Sequence, residues 1–170
     1  MTTNSQPLPG ALRRKQLRLK HYDYSLPGYY FVTICTHQRK HYFGEVTGTP
    51  PCLCGSRNSP HLMIEKWLLE LQNRFAVTIG PYVIMPNHLH FIVAKKQAAE
   101  MLGDVVRWFK TMTTNEYIAG VRRGAYEPFD GRLWQRDYYE RVIRNENEHR
   151  EIGEYIRDNL MNWEIDEENL

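Results

Sequence analysis

The 170-residue chain is 42% hydrophobic, 12% aromatic and 25% charged, with a formal net charge of +2. This is the size of one domain able to bury roughly 70% of its unfolded surface, so neither a disulfide framework nor a structural metal is needed to hold a core. Length excludes a (β/α)8 barrel, the lack of any long apolar run excludes a membrane-spanning helix, and the aromatic content excludes a wholly disordered chain.

The small total charge hides an asymmetry. Residues 1–41 carry 7 basic and 1 acidic side chains, residues 42–144 carry 13 and 10, and residues 145–170 carry 2 and 9. A basic start suits a polyanionic partner, and an acidic end suits the solvated face of a helix. Cys35, Cys52 and Cys54 form an odd set without framework spacing, and the first dozen residues have no apolar signal-peptide core. Both point to a reduced, cytoplasmic protein.

Residues 1–12 read as a disordered N-terminus and residues 13–170 as a single domain. Leu12 to Tyr22 is a basic arm with interleaved apolar residues, in which Arg13, Arg14, Lys15, Arg18 and Lys20 are candidates to follow phosphates. Gly28 to Thr36 is dense in β-branched and aromatic residues and predicts the first strand, with His41 to Val46 as its continuation or a short return. Thr47 to Pro60 reads as a loop from its Thr, Gly, Pro, Ser and Asn content.

Ser59-Pro60 supplies a cap and a first-turn proline, and Ile64, Trp67, Leu68, Leu71 and Phe75 recur at helical spacing. A strand from Val77 or Tyr82 to Met85, bent at Gly80-Pro81, turns at Pro86-Asn87 into a second strand, His88 to Ala94. So short a turn makes the two antiparallel neighbours. Ala98 to Ala119 predicts a second helix, ending near Gly120, with Met101, Leu102, Val105, Phe109 and Met112 on its apolar face and Arg107 and Lys110 off it. Gly120 to Arg132 reads as a loop and Trp134 to Ile143 as a last strand. Asn145 and Glu148 form a capping signal for a third helix that ends near Leu160 or Trp163. The order is α+β and fits a ferredoxin-like split βαβ fold: an antiparallel sheet, helices on one face, and an added C-terminal helix.

On the second strand of the hairpin, His88 and His90 face the same way and stand ~7 Å apart along the chain, near enough to share one divalent cation. A hydrogen-bonded or surface pair of histidines fits the same pattern. In the last helix Ile152, Ile156 and Leu160 form the buried stripe, and Tyr155 and Asn159, also i and i+4, share a second stripe rotated by about 100°. That spacing brings a phenol and an amide together at the edge of the helix contact. It equally suits an ordinary amphipathic helix, and Tyr117, Tyr138 and Tyr139 are alternative nucleophiles. Trp134, Tyr138 and Tyr139 could stack bases or belong to the core. Cys52-x-Cys54 near His61 lacks paired zinc spacing, and the two His-x-Thr/Ser motifs of a two-histidine cyclic phosphodiesterase are missing.

Four segments carry a resemblance: Tyr29-Tyr-Phe-Val-Thr-Ile-Cys-Thr36 with Arg39 and Phe43-Gly44; Met85-Pro-Asn-His-Leu-His90; Leu133-Trp-Gln-Arg-Asp-Tyr-Tyr139; and Tyr155-Ile-Arg-Asp-Asn159. With these the chain resembles the single-tyrosine HUH transposases, and among them the REP-associated tyrosine transposases, over nearly its whole length. The resemblance implies a metal-dependent endonuclease and strand transferase for single-stranded DNA, working at or near hairpin-forming repeats. It implies Tyr155 as nucleophile and His88, His90 and Asn159 as ligands of Mg2+ or Mn2+. Arg107 and Lys110 join the basic arm as expected DNA contacts. The family usually has proline after the asparagine, where this chain has Leu160. The second reading is a domesticated module that binds structured DNA or RNA with little or no cleavage. Relatives occur as monomers and as dimers that exchange the tyrosine helix, and either state is open to this chain.

Overall fold

A computed structural model of the chain describes residues 23–47, 52–54, 59–97 and 100–165. The expected N-terminal tail and the basic arm, with Arg13, Arg14, Lys15, Arg18 and Lys20, lie outside the described residues.

Strands β1 (Gly28–Cys35), β4 (Val77–Ile84), β5 (His88–Lys95) and β6 (Tyr139–Ile143) form one antiparallel sheet in the order β4-β5-β1-β6. Helices α1 (Pro60–Arg74) and α2 (Leu102–Arg122) are the two crossovers, and α3 (Glu146–Asp158) follows the last strand. This is the expected ferredoxin-like arrangement. A small ribbon of β2 (Glu45–Thr47) and β3 (Cys52–Cys54) stands apart from the sheet. The loop expected over Thr47 to Pro60 therefore contains a strand. The two short strands flank the Gly48–Pro51 stretch whose composition gave the loop reading.

The alternation of strand side chains sorts the core into two layers. Tyr30, Val32, Ile34, Leu89, Phe91 and Val93 face α1 and α2, meeting Ile64, Leu68, Leu71, Val105 and Phe109. Phe31 and Ile92 face the other way and meet Ile143 with Ile152 and Ile156 of α3. Covered on both faces, β1 and β5 are buried along most of their length, which is why their sequences run apolar without alternation. Edge strand β4 slips register between Ile79 and Tyr82, at Gly80-Pro81, where proline's missing N–H is tolerated.

Helix α2 starts and ends later than its sequence suggests. Met101 is extended and exposed, so the helix begins at Leu102. Gly120 lies inside the helix because the ring of Tyr126 rests on it: an added Cβ would come within 2.1 Å of Tyr126 Cδ2. Gly124, at φ 70°, is the left-handed residue past the end. Met112 is half-buried, and Thr113 and Tyr117 complete the buried stripe instead.

Helix α3 begins as its capping signal predicts. The Asn145 side chain accepts from Glu148 N–H at 2.9 Å, and Glu148 Oε2 accepts in return from Arg144 N–H at 2.8 Å. Only Ile152, Gly153 and Ile156 of α3 are buried. The chain continues as a 3-10 segment, Asn159–Ile165, where proline would have stopped it. Because so few apolar residues hold α3, its cap matters. Asn145→Ala is expected to lower stability by ~1 kcal/mol, a fall in melting temperature of roughly 2–4 °C, with α3 amides losing exchange protection first. An unshifted melt would remove the cap from this account.

Candidate active site

The sheet layer under α3 is apolar except at its end near the β4–β5 turn. There the pattern that buries Ile92 also buries His90 and His88, which are 3% and 0% exposed. Polar groups so deep need partners. His88 Nδ1–H donates to Asn87 Oδ1 at 2.7 Å, and His90 Nδ1 lies 2.7 Å from Thr33 Oγ1, the residue paired with it across the β1–β5 ladder. With the proton on Nδ1 of each ring, both Nε2 lone pairs point into the site. The ring centroids are 4.5 Å apart.

Helix α3 supplies the other two candidates. Tyr155 Oη is 3.3 Å from His90 Nε2, and the phenol stands edge-on to Phe31, ring centroids 6.1 Å apart. The buried Asn159, one helical turn later, brings its side-chain amide beside His88. Tyr155 remains 44% exposed although its ring is anchored on Phe31 and His90. His88, His90, Tyr155 and Asn159 thus come together from strand and helix, as their spacing allows.

Burial pushes the His88 imidazole down to about 3, the positive charge of Arg39 adds to the fall, and the Asn159 amide opposes it. At neutral pH His88 is an uncharged ring. Among the described residues no three His, Cys, Asp or Glu side chains cluster as a metal site. The donor set is instead two buried imidazoles and one amide. It fits a divalent cation that accepts nitrogen and oxygen, because each imidazole is oriented through its second nitrogen, as ligating histidines are.

The other candidates are placed elsewhere. Tyr117 is buried in the α1–α2 layer, and burial raises its phenol well above the ordinary range. Tyr138 packs in that same layer, and Tyr139 lies against the α3-side cluster. Trp134 is no stacking platform: it is buried, and its Nε1–H donates to Thr113 Oγ1 at 2.9 Å. Arg107 is exposed and ion-paired with Asp104. Lys110 is half-buried. Its ammonium donates to the carbonyls of Gln135, Arg136 and Asp137 at 3.0–3.2 Å, tying the segment before β6 to α2. Burial pushes this amine down to about 8.

The positioning roles of Thr33 and Asn87 escape a motif reading. Asn87 is adjacent to His88 and could have been suspected. Thr33 is found only through the strand register. Trp163, in the 3-10 segment, stacks over His88 with centroids 6.1 Å apart and meets His41 at 5.5 Å.

The family model described as "Transposase IS200 like" matches residues 27–159, a span that contains all four converging side chains. An uncharacterized protein of Haemophilus influenzae is 32% identical over 179 residues, covering 93% of this chain and 94% of its own. Among solved structures, a REP-associated tyrosine transposase bound to a REP hairpin superposes with a TM-score of 0.58 at 18% identity, over 84% of this chain and 72% of that one. A crystal structure from Deinococcus radiodurans gives 0.51 at 15% identity, over 83% and 95%. Both likenesses show the fold.

If Lys110 is a strut, Lys110→Met leaves three carbonyls without their donor. The expected loss is about 2–3 kcal/mol, seen as a melting temperature lower by roughly 5–10 °C. Affinity of the remaining folded protein for single-stranded DNA should be unchanged. A stable variant with weakened DNA binding would restore the surface-cation role.

Proposed function

We propose, for a chain that belongs to the IS200-like transposase family, that it cuts and rejoins single-stranded DNA at hairpin or repeat-associated sites through a covalent 5′-phosphotyrosine at Tyr155. The observation that carries this reading is the placement of the exposed Tyr155, its phenol oxygen 3.3 Å from His90 Nε2, beside two buried imidazoles whose ring centroids are 4.5 Å apart. The solved relative bound to a REP hairpin supports hairpin DNA as the substrate class.

Tyr155 attacks the scissile phosphorus. A Tyr Oη–P bond forms, the P–O3′ bond breaks, the phenolic proton leaves to solvent, and the departing 3′ oxygen takes up a proton. The phosphodiester becomes a phosphotyrosine diester, so its bond free energy is retained and a 3′-hydroxyl can later reverse the exchange without ATP. A free phenol titrates near 10 and is a modest nucleophile at neutral pH. Mg2+ or Mn2+, held by His88, His90 and Asn159, would polarise the phosphate and offset its developing charge. Phe31 fixes the ring of Tyr155, and Asn87 and Thr33 fix the two imidazoles. Placed together in this way, nucleophile and electrophile need little reorganisation.

With Mn2+ and oligonucleotides from the chain's own genomic flanks, the wild type is expected to give a denaturation-resistant protein–DNA species that Tyr155→Phe abolishes. His88→Ala should remove cleavage while leaving DNA binding largely intact. Tight binding without an adduct on any repeat would favour the binding-module reading, and undiminished cleavage by His88→Ala would refute the metal assignment. Asn87→Ala and Thr33→Val should each weaken Mn2+ binding by roughly 10–100-fold in calorimetry. Unchanged affinity in both would mean that the imidazoles are not oriented through these residues.

A further inference from the structure

Phe31 and Thr33 leave the ring of His90 little freedom. The imidazole lies nearly parallel to Phe31, with centroids 5.4 Å apart and planes inclined by 26°. Its Nδ1 is 2.7 Å from Thr33 Oγ1, and only 3% of the residue is exposed. An imidazole has two nitrogens and no other polar atom. With Nδ1 turned to Thr33, the atom that His90 can offer to a cation in the site is Nε2.

Nε2 is also the atom that Tyr155 meets. The phenol oxygen stands 3.3 Å from it, and the two rings approach edge to face at 5.4 Å. This contact uses the same position on the imidazole whichever tautomer is present. With the proton on Nδ1, Nε2 accepts from the phenol O–H; with the proton on Nε2, that N–H donates to the phenol oxygen. In the neutral ring each nitrogen carries either a lone pair or an N–H, and it can direct that to one partner only. Coordination of a divalent cation by Nε2 therefore requires that the hydrogen bond to Tyr155 be given up.

Of the two partners, Tyr155 is the one that can yield. It is 44% exposed, and it rides on α3, of which only Ile152, Gly153 and Ile156 are buried. We infer that metal binding and the nucleophile are coupled through His90 Nε2: the phenol hydrogen-bonds this nitrogen, gives it up when the nitrogen coordinates Mg2+ or Mn2+, and is thereby freed to face the substrate phosphate. The inference rests on the ligation and reaction proposed above. It gives His90 a positioning role besides ligation, since the hydroxyl is released at the moment when the phosphate can be polarised. Such coupling is reciprocal, so the hydrogen bond that the cation breaks must in turn weaken cation binding by the same factor.

The test uses the full chain without DNA. In calorimetric titration with Mn2+, Tyr155→Phe, which removes the hydroxyl and keeps the ring, is expected to bind about 3–10-fold more tightly than the wild type, the worth of one hydrogen bond. Tyr29→Phe, which removes a hydroxyl from an exposed tyrosine at the far end of β1, should leave the affinity unchanged. Equal affinity in the wild type and Tyr155→Phe overturns the inference. So does weaker binding by Tyr155→Phe, which would make the phenol oxygen itself a ligand. If neither protein binds Mn2+, the coupling falls together with the metal assignment. Nitrogen NMR without divalent metal reads the contact directly: His90 Nε2 should shift on Tyr155→Phe by more than His88 Nε2, and an unmoved His90 signal overturns the inference whatever the affinities. The adduct assay decides separately on the reaction. A wild type that forms no adduct defeats Tyr155 as nucleophile, while tighter Mn2+ binding by Tyr155→Phe still establishes the coupling.

Discussion

The pairing of β1 with β5 is the constraint on which the rest depends. Its register sets Thr33 opposite His90 and, by alternation, turns His88, His90, Phe31 and Ile92 toward α3 while Leu89 and Phe91 enter the opposite layer. A slip of one residue would send both imidazoles into the apolar α1–α2 layer and expose the core strand's leucine and phenylalanine to the polar site. Burial of about half a dozen large side chains on the α1–α2 face opposes that slip far more strongly than any single hydrogen bond could. The site is thus placed by packing on the side of the sheet away from it, and Asn87 and Thr33 then refine the orientation of rings already confined.

The tyrosine is held differently. Helix α3 meets the sheet through few buried residues, and its outward face is rich in glutamate, the acidic end of a chain whose N-terminal part is basic. A weakly docked helix belongs to the low-stability end of a protein's local openings. Under the reaction proposed for Tyr155, such a helix suits a nucleophile that must admit a DNA strand beside it. Under the same proposal, the acidic face means that DNA meets Tyr155 favourably only where positive charge is supplied locally. Leu160 in place of proline lets the chain continue as a 3-10 turn, which brings Trp163 over His88.

Local chemistry in the sequence made much of this legible. The Pro86-Asn87 turn between two apolar runs fixed the hairpin, the period-two placement of His88 and His90 fixed their common face, and Asn145 with Glu148 marked the start of α3. Spacing alone did not choose Tyr155 over Tyr117, Tyr138 or Tyr139, whereas burial and placement separate them: Tyr117 is enclosed and Tyr155 is open beside His90. The features that escaped were long-range. Lys110 read as an exposed cation on a helix, but carbonyls 25 to 27 residues away capture it. Trp134 read as a base platform, but a threonine 21 residues away takes its N–H. Gly120 read as a helix stop because its meaning lies in the ring of Tyr126, whose arrival no local pattern announces.

The same burial that hides these partners also decides which cations keep their charge. His88, enclosed beside Arg39, is neutral at physiological pH, and Lys110 is pushed toward neutrality although its carbonyls favour the ammonium. Arg39 cannot follow them, because a guanidinium does not give up its proton in a protein. Desolvation therefore divides the labour at this end of the sheet. The His88 ring is left a lone-pair donor, while the guanidinium beside it stays charged. A lysine at that position, next to a buried ring, could lose its proton where an arginine keeps it.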